Sequence, residues 1–467
     1  VFPFSPFPLF PFSPFPLFPF SPFPLSPFPL SPFPFPLPPF PVPPAYHYPM
    51  KPQFQTASRV QKVRYEIRGA LARRARELEQ QGHDILHLNI GNPGAFGLRT
   101  PETMRRAVVR NLQYSEAYGP QTGIFPAREA VAMQFQARGM TDTRYDQVII
   151  GNGVSELVDL VLRSLLEPGD EVLVPAPDYP LWTAAVVLNG GEAVHYPCHA
   201  EGKFIPDVAE LEKRITPRTR ALVVINPNNP TGAVYPETVL RDMAELAARH
   251  DLVIFADEIY DAICYDEARF VPMAPLAEQT LCVSFGGLSK VYRACGWRVG
   301  WAVFTGALER ANDYRLAVEK LAALRLSANV PGQWAVQTAL GGYQSIADLV
   351  ARGGRLHESR QAVIDAVAKS AYLELVAPMG AMYAFPSVRA ELADRFPGGF
   401  DDHRFAAELL EQKHILIVPG SSFNIAARNH FRITLLPEAE DLIRAFRRIE
   451  ELLEEMADQP ERVTASP

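Results

Sequence analysis

The feature that most limits what this chain can fold into is a recurrence of short apolar runs separated by stretches with helical spacing. The runs are Glu171 to Val174, Ala221 to Ile225, Leu252 to Ala256, Leu281 to Phe285 and Val299 to Phe304. Runs of this length read as buried strands. Between them, patterns such as Leu157, Leu160, Val161 and Leu165 mark one face of a helix. Strands alternating with helices predict an α/β fold, a mostly parallel sheet with helices on both faces. Sheets of this kind bind ligands beyond the carboxyl ends of their strands, and the polar motifs of this chain sit at those ends.

The chain has 467 residues, 48 % of them hydrophobic, enough for a large core and two domains. Residues 1–49 are a Ser-Pro-Phe-Pro-Leu repeat without Lys, Arg, Asp or Glu, holding close to half of the 45 prolines. Proline this dense denies the segment helix and central strand, so it is expected to be extended or disordered. It lacks the basic start and unbroken apolar stretch of a signal peptide. We expect it to be an upstream extension, with native translation starting at Met50; a proline-rich ligand for a partner is the other reading. The expected organisation is an arm and part of a small domain at 50–95, a large domain at 96–340, a C-terminal α+β domain at 341–459 and a tail at 460–467. Finer expectations are a helix from Arg68 to Gln81, a short strand over Ile85 to Ile90 that stops at Gly91, and a long helix from near Tyr343. A net charge of −7 without a basic patch makes nucleic acid an unsuitable partner. The cysteines Cys198, Cys264, Cys282 and Cys295 lie far apart, which argues against zinc and disulfides and suits a reducing cytoplasm.

The stretch S-F-G-G-L-S-K-V-Y-R-A-C-G-W-R-V-G-W, Ser284 to Trp301, places Lys290 in a loop after an apolar strand that Gly286 and Gly287 are expected to break. An isolated loop lysine is ordinarily solvated; here Arg298 follows, a residue suited to forked binding of phosphate. The segment G-N-G-V-S-E, from Gly151 to Glu156, opens a helix, either as an ordinary cap by Asn152 or Ser155 or as an anion site made of free N–H groups. N-P-N-N-P-T-G, Asn226 to Gly232, ends a strand in a rigid loop. In F-A-D-E-I-Y-D, Asp257 at a buried strand end either caps a helix or faces a cation. Tyr179 stacks on a ring or packs in the core. Arg432, between apolar neighbours in H-F-R-I-T, is either a surface arginine or the partner of a carboxylate.

In this order and spacing, the motifs resemble those of class I aminotransferases, fold type I pyridoxal-phosphate enzymes. The resemblance covers roughly Val60 to Leu453 and is nearer still to the bacterial glutamate–pyruvate (alanine) aminotransferases, on Y-E-I-R-G, L-N-I-G-N-P, I-G-N-G-V-S-E-L, N-P-N-N-P-T-G-A-V-Y and T-A-L-G-G-Y-Q-S-I among others. It implies pyridoxal 5'-phosphate as cofactor, with Lys290 as the imine-forming lysine and proton shuttle. Asp257 then faces the ring nitrogen, Asn229 and Tyr260 the phenolic oxygen, and Tyr179 the ring. Arg298, Ser289 and the N–H groups of Gly153, Val154 and Ser155 hold the phosphate. Tyr118 matches a tyrosine that reaches the partner subunit's phosphate, which implies a homodimer with shared sites. Gly91, Asn229 and Arg432 bind the amino acid. Gly287 stands where many relatives carry a phosphate-binding serine and is left out. Tyr65 and Arg68 lie in a segment placed to fold over the substrate, where Arg68 meets a side-chain carboxylate or plain solvent. The implied reaction is L-alanine plus 2-oxoglutarate to pyruvate plus L-glutamate. A different small or aromatic amino donor, or β-elimination on the same cofactor, is the alternative.

Overall fold

Seven runs between Val148 and Gly306 join into one sheet in the computed structural model, which describes residues 54–63, 65, 67, 69–396 and 399–458. The Pro-Phe repeat, Arg68 and the tail at 460–467 lie outside the described residues, together with the expectations for them. In chain order the strands are β1 (Val148–Gly151), β2 (Glu171–Ala176), β3 (Glu192–Pro197), β4 (Thr219–Ile225), β5 (Val253–Asp257), β6 (Leu281–Gly287) and β7 (Gly300–Gly306). Across the sheet they run β1-β7-β6-β5-β4-β2-β3. All neighbouring pairs are parallel except the two made by β7, which is antiparallel to β6 and to β1. The mostly parallel sheet matches the expectation from sequence.

The reversal of β7 has a local cause. A parallel return needs a crossover, usually a helix, and residues 288–299 hold only a single 3-10 turn, Cys295–Trp297. The chain therefore doubles back, and one wide loop at the carboxyl edge of the sheet carries both Lys290 and Arg298. The strand does not stop at Phe285 as expected; Gly286 and Gly287 are its last two residues. A Cβ there would come within 2.5 Å of the Trp301 indole nitrogen and 2.8 Å of the Val299 carbonyl, so β7 presses closely on both. Strand β3 escapes a reading by apolar runs because it is the sheet edge, with only Tyr196 fully buried.

Alternation along the central strands fills both faces. Ala221, Val223, Ile225 and Phe255 point to one side, against Leu157, Val158 and Val161 of α1 (Val154–Leu165). Leu222, Val224, Ile254 and Ala256 point to the other, against Leu240, Met243 and Ala247 of α2 (Glu237–Arg249). Each large side chain so buried contributes about 1.5–3 kcal/mol.

The C-terminal part builds a second, antiparallel sheet of β8 (Tyr383–Ala384), β9 (Val418–Pro419) and β10 (Phe431–Thr434), with β10 in the middle. It packs under α3 (Arg355–Lys369) and α4 (Ala439–Asp458) through Val363, Val367, Phe446, Ile449 and Leu453. The expected strand over Ile85 to Ile90 shrinks to Leu86–His87, which pairs in parallel with Ile415–Leu416. The N-terminal helix is described from Ala70 to Gln80 and ends before Gly82, whose φ of 95° only glycine adopts easily. The long helix expected near Tyr343 is instead a short one, Ile346–Val350, followed by α3. Gly353, at φ 81°, and Gly354, where a Cβ would meet the Asp348 carbonyl at 2.1 Å, make the break. No helix among the described residues is long and apolar enough to cross a membrane.

One buried polar cluster ties β2 to the segment after β9. Asp178, wholly buried, accepts from Thr183 Oγ1 (2.6 Å) and Asn424 Nδ2 (2.8 Å), and its N–H donates to the Phe423 carbonyl. His195 Nε2 stands 3.0 Å from the same Thr183 hydroxyl. Burial pushes the Asp178 carboxyl up to about 7, against the bonds from Thr183 and Asn424, and lowers the pKa of His195. The Thr183 hydroxyl has a single proton. With Asp178 protonated, its carboxyl donates to the Thr183 hydroxyl, which donates its own proton to a neutral His195, while Asn424 still donates to the other carboxyl oxygen. Because the folded pKa lies above the unfolded one, the folded chain keeps a proton that the unfolded chain has released between pH ~4 and ~7. Stability from this group is therefore full below that window and is lost as pH rises through it. At about 1.4 kcal/mol per unit, the loss is on the order of 4 kcal/mol. About two units of that window lie above pH 5, so urea unfolding at pH 5 and pH 8 should show wild type losing about 3 kcal/mol relative to Asp178→Asn; a gap that is equal at both pH values would refute the buried acid.

Candidate active site

The loop between β6 and β7 fixes Lys290 by burying its neighbours. Leu288 and Val291 are core residues, and the turn is closed by Arg293 N–H on the Lys290 carbonyl (3.1 Å) and Ala294 N–H on Leu288 (3.0 Å). The lysine Nζ reaches into a cleft of about 600 Å³ and donates to the Gly91 carbonyl at 2.7 Å. Cys295, on the same loop, donates its thiol to the Ser289 carbonyl at 2.8 Å.

At one end of the cleft α1 begins without any side-chain cap. The capping expected of Asn152 or Ser155 does not occur. Instead Glu156 reaches back to accept from Asn152 N (2.7 Å) and Nδ2 (2.9 Å), leaving the first N–H groups of the helix to the cleft. Arg298, at φ 52°, donates to the carbonyls of Cys295 and Asn152 and lies so near Gly153 that a Cβ there would fall 2.3 Å from its guanidinium. Gly300 is as tightly set, since its Cβ would meet the backbone nitrogen of Val154 at 2.6 Å. An arginine, the Ser289 hydroxyl and a helix start carrying positive partial charge converge here, which is the donor set a phosphate needs.

At the other end of the sheet edge Asp257 closes β5, 4 % exposed. It accepts from Trp182 Nε1 at 3.1 Å and, at 3.4 Å, from Ile259 N–H. The chain beyond it turns rather than coils, so the helix-cap reading falls. Trp182 is itself fixed by Phe255 and Phe285, with ring centroids at 5.8 and 5.5 Å. Burial raises the Asp257 pKa; the Trp182 bond, the Ile259 N–H and the Lys290 charge oppose that. No ion pair involving Asp257 is formed among the described residues, so the carboxylate is a buried anion facing a cleft and suits a protonated ring nitrogen.

Arg432, in the middle of β10, is 2 % exposed, which excludes the surface reading. One guanidinium nitrogen donates to Asn229 Oδ1 (3.1 Å) and another to the Asn89 carbonyl, while Nε finds no acceptor. Tyr383 and Phe423 present their rings at 4.5 and 4.9 Å from its central carbon. No carboxylate pairs with it among the described residues, and it fits one from a ligand. Asn229 sits in a loop closed by Asn228 Oδ1 on Thr231 and by Asn226 Oδ1 on the Tyr235 N–H. Tyr260, buried, donates to the Tyr383 hydroxyl at 3.2 Å, and burial holds its pKa well above that of a free tyrosine. Tyr65 and Tyr179 meet through their hydroxyls at 3.1 Å.

The cleft is thus lined by Gly91, Val154, Ser155, Tyr179, Asn229, Asp257, Tyr260, Ser289, Lys290, Arg298 and Arg432 of the residues singled out from sequence, and by Tyr65. Gly153 lies behind Arg298, and Tyr118, 80 % exposed, stays outside the cleft of its own chain. Trp182, Asn89 and Tyr383 were missed. Trp182 stands only three residues after Tyr179, but only the fold turns its indole to Asp257.

Residues 83–449 match the family model for aminotransferase class I and II. The glutamate-pyruvate aminotransferase AlaA of Escherichia coli strain K12 is 46 % identical over 388 residues, 83 % of this chain and 95 % of that protein. An alanine aminotransferase of Mycobacterium tuberculosis is 45 % identical over 397 residues, 85 % of this chain and 92 % of that one. Among solved structures, an aminotransferase from Escherichia coli superposes with a TM-score of 0.84 at 44 % identity, covering 86 % of this chain and 98 % of that one. An alanine aminotransferase from Pyrococcus furiosus gives 0.80 at 33 %, covering 86 % and 100 %. By sequence and by fold, this chain belongs to the class I and II aminotransferases.

Proposed function

We propose that this enzyme moves the amino group of L-alanine to 2-oxoglutarate, giving pyruvate and L-glutamate, with pyridoxal 5'-phosphate as cofactor. The observation that carries the reading is the placement of three unmatched groups around one cleft. Asp257 is a buried anion without a cation, Arg432 a buried cation without a carboxylate, and α1 an uncapped helix start beside Arg298. The names of the relatives supply alanine and glutamate–pyruvate as the substrates.

When bound, the cofactor supplies a cationic ring that draws charge from the substrate's α-carbon. The chain's own residues do the rest. Asp257 would hold a proton on the ring nitrogen, and Trp182 keeps that carboxylate in place. Asn229 and Tyr260 would hold the phenolic oxygen, Tyr179 the ring, and Ser289, Arg298 and the N–H groups of Gly153, Val154 and Ser155 the phosphate. Arg432 grips the α-carboxylate with the Gly91 backbone and Asn229 beside it, each charge-assisted bond adding about 1.5–3 kcal/mol. Lys290, held by the Gly91 carbonyl in the free protein, takes the α-proton of the amino acid on its Nζ as general base. Such a base contributes about 10²–10⁴ in rate. Two half-reactions at one site make the kinetics ping-pong.

The enzyme acts as a homodimer in the cytoplasm, with a large domain at 96–340 and a small one at 341–459. Support for the dimer comes from Leu112, Tyr114, Tyr118, Leu324 and Leu326, apolar side chains that are more than half exposed. The two stretches lie near one another, since Gly119 abuts Val330 and Trp334 Nε1 donates to Ser115 Oγ. Support for the compartment comes from four unpaired cysteines.

Lys290→Ala should abolish the absorbance of lysine-bound cofactor and lower transamination by at least about 10²-fold. Mixed with Tyr118→Ala under conditions that exchange subunits, it should regain activity, since about a quarter of the sites then combine an intact Lys290 with an intact partner Tyr118. Retained absorbance in Lys290→Ala, or no recovery on mixing, would count against the lysine or the shared site respectively. For the substrate, kcat/KM across a panel of amino donors with pyruvate and 2-oxoglutarate should rank alanine with 2-oxoglutarate first; a rank near the bottom sinks the alanine assignment and spares the reaction class.

A further inference from the structure

Tyr383 has no part in the assignment above, yet it touches three groups that do. On β8, it pairs across to β10, and its ring lies 4.5 Å from the Arg432 guanidinium carbon. Its hydroxyl accepts from Tyr260 at 3.2 Å, with the two rings edge to face at 5.9 Å. The same hydroxyl lies so near Gly91, whose carbonyl holds Lys290, that a Cβ on that glycine would fall 2.2 Å from it. The side chain is 3 % exposed, and its strand is pinned by Thr434 Oγ1 and Leu435 N–H on the Met382 carbonyl and by Tyr265 on Ala381.

A hydroxyl has one proton to give. Tyr260 spends its proton on Tyr383, while no acceptor among the described residues takes the proton of Tyr383. The pair can therefore reverse. If Tyr260 turns its proton to the cleft, Tyr383 donates to the oxygen of Tyr260 and strengthens the donor it has released. Its ring, in turn, offers a negative face to a guanidinium that has only two hydrogen-bond acceptors and an unpartnered Nε.

We propose that Tyr383 is a positioning residue with two separable duties: its ring seats Arg432 for the substrate carboxylate, and its hydroxyl sets the direction of the Tyr260 proton. This rests on the roles given to Arg432 and Tyr260 in the aminotransferase reading. The test uses holoenzyme and two signals besides turnover. One is the dissociation constant of 2-methylalanine, which has no α-proton and binds without completing the reaction. The other is the midpoint of the pH titration of cofactor absorbance.

Tyr383→Phe keeps the ring, so 2-methylalanine should bind within about twofold of wild type. It removes the hydroxyl, so the midpoint should move upward by about half a unit, because a negative oxygen with a poorer donor holds a proton more tightly. Tyr383→Leu should do that and also weaken 2-methylalanine about tenfold. In a Tyr260→Phe background, Tyr383→Phe should add no further shift, since the two hydroxyls act as one unit. Wild type with both signals, but a Tyr383→Phe midpoint that does not move or shifts that add in the double variant, would overturn this proposal alone. Wild type lacking both signals would overturn the aminotransferase reading and this proposal with it.

Discussion

Everything at the edge of the sheet is arranged around a carboxylate that burial disfavours. Asp257 has lost nearly all contact with water, its bonds are a single indole N–H and one long backbone contact, and no cation of the described chain pairs with it. Leaving a charge so placed costs several kcal/mol unless a partner arrives. The fold tolerates it because β5 is the central strand, with β4 and β6 on either side and Phe255 and Phe285 fixing the Trp182 indole against it. The carboxylate cannot swing out to solvent. It can only wait for a cation from the cleft, which is what a cofactor with a protonated ring nitrogen brings.

The second constraint is the reversal of β7. Had residues 288–299 formed a crossover helix, Lys290 would stand at the carboxyl edge of the sheet and Arg298 at the opposite edge. Because the chain doubles back, both ride one loop, with Lys290 directed at Gly91 and Arg298 at the start of α1. The glycines complete the arrangement by what they lack. Gly153 lets the arginine lie on the helix start, Gly300 lets β7 pass beneath it, and Gly91 leaves room for the Tyr383 hydroxyl.

Much of this was legible in the chain. The β4, β5 and β6 runs announced themselves because strands buried on both faces have few polar positions, and Asp257 at the end of β5 and Arg432 within an apolar run stand at costly places. What stayed hidden was of two kinds. Edge and small-sheet strands such as β3, β8 and β9 are short or half-solvated, so hydrophobicity does not mark them. Contacts across great sequence distance were equally invisible. Trp182 meets Asp257, Tyr260 meets Tyr383 and Asn424 meets Asp178 only because the topology folds them together. The glycine pair at 286–287 misled for a related reason: a glycine reads as a break along the chain, while its role here is a close approach from the neighbouring strand.

Four of the unmet hydrogen bonds among the described residues fall at one end of the cleft. Buried side-chain atoms without a partner include Asn89 Oδ1, Asn226 Nδ2, Ser422 Oγ and Arg432 Nε. All four belong to segments that build the carboxylate end of the cleft: the residue whose carbonyl receives Arg432, the loop of Asn229, the neighbour of Phe423, and the arginine itself. Each such atom costs about 1–3 kcal/mol when left unsatisfied. A core packed for stability alone would have replaced them with apolar groups, and the sheet faces beneath, made of Val, Leu, Ile and Phe, have done so. A ligand carboxylate at Arg432 recovers part of this cost on arrival. Binding there is therefore selective for an anion of the right shape, because a neutral or misplaced group would leave the same polar atoms bare and gain only contact.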